Sequence, residues 1–222
     1  MSRPAKARVV PPKLSRRRAM LRPKFRIVAV CEGRNTEPQY LAEFCRDHGN
    51  GLVQIRTVGG VGVPQTVVAE ASKILQEMRR SKSDSFERFD QCWAIFDHDN
   101  HPHVEQHVRN ARAGGLMVAF SNPCIELWGV LHFGEYGRPA RGHVVQDALK
   151  VLMPSYDPHG SKLFDYELMR LGYREAVKRA KRLVKEAEKL GAPLGNPHTN
   201  FYELTEIIRI NGISIKARTD DI

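Results

Sequence analysis

The first half of the chain alternates short apolar runs with longer segments whose apolar positions recur every three or four residues. The run Phe25–Cys31 is apolar and β-branched almost throughout, which is typical of a strand buried on both faces of a sheet. The longest periodic segment, Pro64–Arg80, has the spacing of an amphipathic helix. The pattern predicts strands at Phe25–Cys31, Leu52–Val58, Asp90–Phe96 and Leu116–Phe120, with helices at Pro38–His48, Pro64–Arg80 and Val104–Ala113 between them.

The second half of the chain shows helical periodicity alone. Helices are predicted around Trp128, over His143–Leu152, over Tyr166–Leu190, and after residue 196, where Thr199 or Asn200 would cap the last one. Strand and helix alternation with short connections predicts a parallel sheet joined by right-handed crossovers. The predicted fold class is therefore α/β, with a central parallel sheet of about four strands flanked by helices and with additional C-terminal helices.

The charge of the chain is concentrated at one end. The 222 residues carry 35 Lys and Arg against 25 Asp and Glu, and residues 1–26 hold ten of the basic residues and no acidic residue. Three units are therefore predicted: a basic flexible arm (1–24), an α/β core (25–133) and a helical extension packed on the core (134–222). The arm is interpreted either as a solubilising tail or as a nucleic-acid contact, because clustered cations release counterions from phosphates. The arm residues that would bind nucleic acid are Arg16, Arg17, Arg18 and Lys24.

Cysteine usage and hydropathy indicate the compartment. The four cysteines are scattered without a CxxC pair, which disfavours a disulfide scaffold or a thiolate zinc site. No apolar run approaches the roughly 18–20 residues that span a bilayer. The basic N-terminus lacks the apolar stretch of a secretory signal. A cytoplasmic protein without membrane association is expected.

Acidic residues follow the predicted strands at their carboxyl ends, where open parallel sheets bind ligands. Glu32 follows the first strand, and Asp97 and Asp99 follow the third. If these strands are neighbours, the carboxylates meet, and their mutual repulsion favours a hard cation such as Mg²⁺ or Mn²⁺. Asp97 and Asp99 would point the same way if the backbone stays extended. Simple helix capping remains an alternative for these acids, and also for Glu37 and Glu126, which lie in first helical turns.

Four segments together resemble a known family: VCEGRNTEPQYL (30–41), AIFDHDNH (94–101), SNPCIELWGVLHF (121–133) and NPHTNFYEL (196–204). An apolar strand ending in Glu-Gly and a later one ending in Asp-x-Asp resemble the Toprim fold of topoisomerases, primases and OLD-type nucleases. The SNPCIELW block is more specific and resembles RloB-like proteins. That resemblance implies a prokaryotic restriction or defence component, often found beside an ABC-type ATPase, with metal-dependent nucleic-acid cleavage as its expected activity.

The resemblance also implies roles for individual residues. Glu32 would be the general acid/base or a metal ligand, and Asp97 and Asp99 would bind Mg²⁺. Glu37 and Glu126 would be secondary ligands. From its position, His98 or His101 is a candidate to assist the attacking water, and Arg34 could neutralise the phosphate oxygens.

Three functions remain open on the sequence. The leading hypothesis is a Toprim-type endonuclease that hydrolyses DNA, tRNA or another RNA by means of a metal-bound water. No domain carrying an attacking tyrosine is visible, so hydrolysis is favoured over strand passage. The alternatives are a non-catalytic nucleic-acid-binding adaptor of an ATPase and a nucleotide phosphohydrolase or phosphotransferase. The apolar stripe on residues 173–190 would either pack internally or form a homodimer.

Overall fold

The computed structural model describes residues 25–80, 90–99 and 101–213, and within them one five-stranded sheet forms the centre of the molecule. The strand order is β2-β1-β3-β4-β5, with parallel pairing throughout except for β5, which runs antiparallel to β4. The predicted α/β class is confirmed. The strands are β1 (Phe25–Cys31), β2 (Val53–Val58), β3 (Gln91–Asp97), β4 (Met117–Asn122) and β5 (His198–Thr199).

Helices cover both faces of this sheet. Three of them alternate with the strands, and the rest follow β4. They are α1 (Thr36–His48), α2 (Pro64–Arg80), α3 (Val104–Ala113), α4 (Glu126–Leu131), α5 (Gly142–Leu152), α6 (Tyr166–Met169), α7 (Tyr173–Lys189) and α8 (Tyr202–Gly212), with one 3₁₀ turn (Arg170–Gly172) between α6 and α7.

The two faces of the sheet bury different kinds of side chain. Along β1 the side chains alternate, so that Val28 and Val30 pack with residues of α2 and α3 in a mostly aliphatic layer. Ile27 and Ala29 face the other side, in a larger cluster that contains α1 and residues from every helix after β4 except the 3₁₀ turn. The second face holds a set of packed rings that we call the aromatic layer: Tyr40, Phe44, Trp128, Tyr173 and Phe201.

The structure differs from the sequence prediction near the C-terminus. Thr199 does not cap the last helix but lies in β5, which pairs with Ser121 and Asn122 of β4. Asn200 does not cap the helix either, because its side chain accepts a hydrogen bond from the Phe120 N–H at 2.7 Å and donates to the Val118 carbonyl at 2.9 Å. A strand of two residues is too short to show periodicity in the sequence, so β5 is recognised only by its pairing with β4.

The N-terminal arm lies outside the described residues, and with it the four predicted nucleic-acid contacts Arg16, Arg17, Arg18 and Lys24. Among the helices that are described, none combines the length and the hydropathy needed to cross a membrane.

Candidate active site

The parallel pairing of β1 with β3 brings together the acids that follow these two strands. Cys31 lies opposite Ile95 in the register, and the Glu32 N–H donates to the Ile95 carbonyl at 3.0 Å. The Glu32 side chain then reaches the end of β3, where its Oε2 accepts a hydrogen bond from the Asp97 N–H at 3.0 Å. The predicted proximity of Glu32 and Asp97 is confirmed. We call Glu32, Glu37, Asp97, Asp99 and Glu126 the acid rim.

Asp97 lies at the centre of the acid rim. Its Oδ2 accepts a hydrogen bond from the Ile125 N–H at 3.0 Å, which ties the end of β3 to the start of α4. Burial raises the pKa of Asp97 well above its usual value, and the charges of the four other acids of the rim raise it further. The five acids therefore act on one another electrostatically.

Glu37 is almost completely enclosed, with 4% of its surface exposed. Its carboxylate lies against Gly33, where an added Cβ would stand 2.5 Å from Glu37 Oε2, so the turn after β1 has room only for glycine. Burial raises the pKa of Glu37 to about 7, and the backbone N–H groups of Glu37 and Gly33 partly oppose this shift. Glu37 is therefore able to hold a proton near neutral pH.

Glu126 opens α4 and is also enclosed, with 3% of its surface exposed. Its Oε1 accepts hydrogen bonds from the Tyr156 hydroxyl at 2.5 Å and from the Gln146 amide at 3.4 Å. Sequence reasoning missed Tyr156 and Gln146. No motif marks them, because they approach Glu126 only through the packing of α5 and the loop after it.

Asp99 is the most exposed acid of the rim. Its φ of 33° lies in the left-handed region, so the backbone is not extended between Asp97 and Asp99. The condition for the two side chains to point the same way is therefore not met. Burial by its surroundings raises the pKa of Asp99, with Glu126 adding to the shift and Lys162 opposing it.

The histidine that contacts the acid rim is His101, whose Nε2 lies 3.5 Å from Glu32 Oε1. His98, the other candidate from the sequence, makes different contacts. Its backbone N–H donates to the Ser121 carbonyl at 2.9 Å, and its ring lies 6.4 Å from the ring of Phe120. The side chain of His98 lines a cavity of about 300 Å³ beside Asp99. Of the two, His101 has the closer contact with a rim carboxylate.

Arg34 follows Glu32 and Gly33 on the same loop and is exposed. Its side chain crosses Gly60, which has a φ of +73° and leaves 2.8 Å between Arg34 Nε and the position of an added Cβ. The Gly60 N–H donates to the Gly33 carbonyl at 2.9 Å. The glycine-rich loop after β2 therefore supports the loop that carries Glu32 and Arg34.

The donor chemistry of the acid rim fits a hard divalent cation, because every candidate ligand is a carboxylate oxygen. Two of these oxygens, Glu32 Oε2 and Asp97 Oδ2, already accept backbone hydrogen bonds, and the second oxygen of Glu32 lies 3.5 Å from His101 Nε2, so a cation would compete with these contacts. In the part of the chain that the structure describes, no three or more His, Cys, Asp or Glu side chains are arranged as a metal-ligand set. Binding a cation would therefore require these side chains to move.

Comparison with known families shows to which family the chain belongs. The model of the family described as RloB-like protein matches residues 27–208, which include the whole acid rim and all five strands except for the first two residues of β1. The chain belongs to the RloB-like family. Comparison with curated proteins and with solved structures found no match.

Proposed function

We propose that this RloB-like protein is a metal-dependent nuclease that hydrolyses phosphodiester bonds as part of a prokaryotic anti-phage or restriction-associated defence system. The observation that carries the proposal is the contact between Glu32 Oε2 and the Asp97 N–H, which joins two acids from separate strands at the ligand-binding edge of the sheet. Family membership supports the defence context.

Mg²⁺ or Mn²⁺ would be held by Glu32, Asp97 and Asp99. When bound, such an ion lowers the pKa of water, polarises the phosphate and stabilises the leaving oxygen. The raised pKa values of these three acids favour this assignment, because a bound cation would offset the burial that mainly raises them and the charges of neighbouring acids that add to the shift.

Other residues of the chain have separate roles in the proposal. His101 lies within 3.5 Å of Glu32 and can receive a proton from the attacking water. Tyr156 fixes Glu126 through its hydroxyl, so that this carboxylate keeps one orientation behind the ligands. Arg34, exposed on the loop after β1, is available to a non-bridging phosphate oxygen.

A nucleic-acid polymer is the substrate class that we favour over a free nucleotide. The excess charge of +10 resides in the N-terminal segment, where Arg16, Arg17, Arg18 and Lys24 would contact phosphates far from the bond that is cut. An ABC-type ATPase is the proposed partner. The glycine-rich loop of this chain lacks the lysine of a P-loop, so any use of ATP would be the work of that partner.

The test is cleavage of labelled DNA, RNA and tRNA by the purified protein with Mg²⁺ or Mn²⁺, alone and with the ATPase and ATP. We expect cleavage that EDTA abolishes and that Glu32→Gln and Asp97→Asn each abolish. Asp147→Asn is the matched control, because Asp147 is an exposed acid on α5 outside the acid rim. Binding of nucleic acid without cleavage under every one of these conditions would instead indicate the adaptor function.

A further inference from the structure

A large cavity lies away from the acid rim, along the outer edge of β4. It measures about 850 Å³, within the range of small-molecule sites, and it runs between α3 and α7. Its apolar wall includes Val108, Leu116 and Val184. We call this cavity the β4 groove.

One buried side chain in the wall of the β4 groove lacks hydrogen-bond partners. His198 is 2% exposed, and neither of its ring nitrogens is hydrogen-bonded. Burial and the nearby charge of Arg112 lower the pKa of His198 to about 4, so the ring is neutral, with one donor and one acceptor nitrogen. The neighbouring Asn200 amide is bonded to β4 through both its oxygen and its nitrogen and makes no hydrogen bond with His198.

Charged groups at the groove narrow the choice of ligand. Arg109 and Arg112 lie on one face of α3 and are exposed, which suits an anion. Glu105, Glu188 and Glu203 line the same groove. This mixture disfavours a long run of phosphates and fits a ligand with a planar, hydrogen-bonding body and a single anionic group.

The β4 groove continues toward the acid rim. Glu105 and Arg109 also line a second cavity of about 340 Å³, whose wall includes His98 and His101. His101 in turn lies 3.5 Å from Glu32. A strand bound at the acid rim can therefore extend along α3 into the groove.

From these observations we infer that the β4 groove binds one unstacked nucleotide of the nucleic-acid strand whose neighbouring phosphodiester lies at the acid rim. The inference rests on the proposed nuclease function. The base lies between the apolar side chains of α3 and α7, Arg112 contacts its phosphate, and His198 offers hydrogen bonds to the base edge. This arrangement makes the groove a determinant of which sequence is cut.

The test measures binding separately from cleavage. Single-stranded oligonucleotides that carry 2-aminopurine are titrated with the full-length protein in EDTA, because this base brightens when it is unstacked. We expect brightening at one position of the strand. Arg112→Ala should weaken binding about tenfold through loss of one charge-assisted contact, and Val184→Trp, which fills the groove, should abolish the brightening. Arg174→Ala is the matched control, an exposed arginine of α7 outside the groove.

A second variant separates folding from binding. His198→Phe removes two unpartnered buried nitrogens, so the protein should be at least as stable to urea, and yet the brightening should be lost. Unchanged brightening and affinity in Arg112→Ala and Val184→Trp would overturn the inference, even if cleavage persists. Tight binding of free adenosine 5′-monophosphate without brightening of the strand would overturn it as well. Brightening that depends on Arg112 in a protein that never cleaves would uphold the groove and refute the nuclease function.

Discussion

The acid rim and the aromatic layer share two helices, α1 and α4, yet the two regions contribute in opposite ways. In α1, the first turn holds Glu37 and the following turns hold Tyr40 and Phe44, and in α4 Glu126 is followed by Trp128. The acids are buried among like charges, which costs stability. The rings of the aromatic layer pack with centroids 4.9 to 6.2 Å apart, which contributes stability.

This comparison shows how the chain maintains an unfavourable arrangement of charge. Each helix is fixed by its aromatic side chains, and the carboxylate at its amino end has no freedom to withdraw from the others. The first turn is also the place where a helix best accommodates negative charge. Like charges held close together in this way would be relieved by a bound cation, once the side chains have moved to contact it.

The largest expected effect comes from changing the acid rim alone. Asp97→Asn keeps an oxygen to accept the hydrogen bond from the Ile125 N–H but removes a charge from the centre of the rim. We expect cleavage to fall at least about a thousandfold while the melting temperature stays level or rises, because repulsion is relieved. Gel-based cleavage assays and thermal unfolding measure the two quantities. A clear loss of stability together with retained cleavage would reverse the roles assigned to the two regions.

Shortening a side chain of the aromatic layer should have the opposite effect on stability and lower the free energy of unfolding. Trp128 is fully buried, and Trp128→Ala should lower the free energy of unfolding by about 3–5 kcal/mol, as large-to-small changes in a core do. Urea unfolding provides the measurement. Leu190→Ala is the control, because Leu190 is 84% exposed and should change stability by less than about 0.5 kcal/mol.

The pH dependence of stability tests the acid rim separately from the aromatic layer, because a change of pH alters the charge of the acids and leaves every core side chain in place. The pKa of Glu37 rises from 4.5 to about 7 on folding, so the folded state favours the protonated form. Stability from this group is present below the unfolded pKa and is lost as the pH rises toward 7, by up to about 1.4 kcal/mol per pH unit.

Urea unfolding from about pH 5 to about pH 8 checks this sign. Glu37→Gln should flatten the curve, and Mg²⁺ should reduce the fall in the parent protein if the acid rim binds it. A stability that rises with pH over this range would show that folding does not raise the pKa of Glu37.

The smallest expected effect concerns the link between the two halves of the chain. Tyr156→Phe removes the 2.5 Å hydrogen bond to Glu126 and leaves Gln146 as the other side-chain partner. We expect a loss of about 1–3 kcal/mol in unfolding free energy and a reduction of only a few-fold in cleavage. Tyr136→Phe is the control, because its buried hydroxyl has no hydrogen-bond partner in the described structure. Equal effects of the two variants would show that Tyr156 does not position Glu126.

Hydrophobic periodicity was sufficient to predict most of the fold. The bounds of β1, α2 and α3 agree with the prediction, and the other parallel strands and α1 differ by at most two residues at either end. The sequence allowed β1 and β3 to be neighbours without requiring it, and the structure shows that they pair in parallel. Each of these elements has a long apolar pattern of its own, and that pattern within the segment is enough to predict a strand or a helix.

Contacts between distant segments could not be predicted in this way. Tyr156 meets Glu126 across a loop of irregular structure, and Thr36 at the start of α1 donates through its hydroxyl to the Lys162 carbonyl at 2.8 Å. His101 rather than His98 contacts Glu32, because the left-handed turn at Asp99 redirects the chain. The polarity of these residues and their spacing along the chain do not predict such contacts, because the contacts depend on how distant segments pack.

The strand β5 has a consequence for biosynthesis. His198 and Thr199 complete the sheet beside β4, and Asn200 binds the remaining edge of that strand. A nascent chain that has emerged only as far as β4 therefore leaves an open sheet edge and a rim without Tyr156. About seventy-five more residues must be synthesised before β5 covers this edge. A chain that is truncated shortly after β4 therefore lacks a complete acid rim.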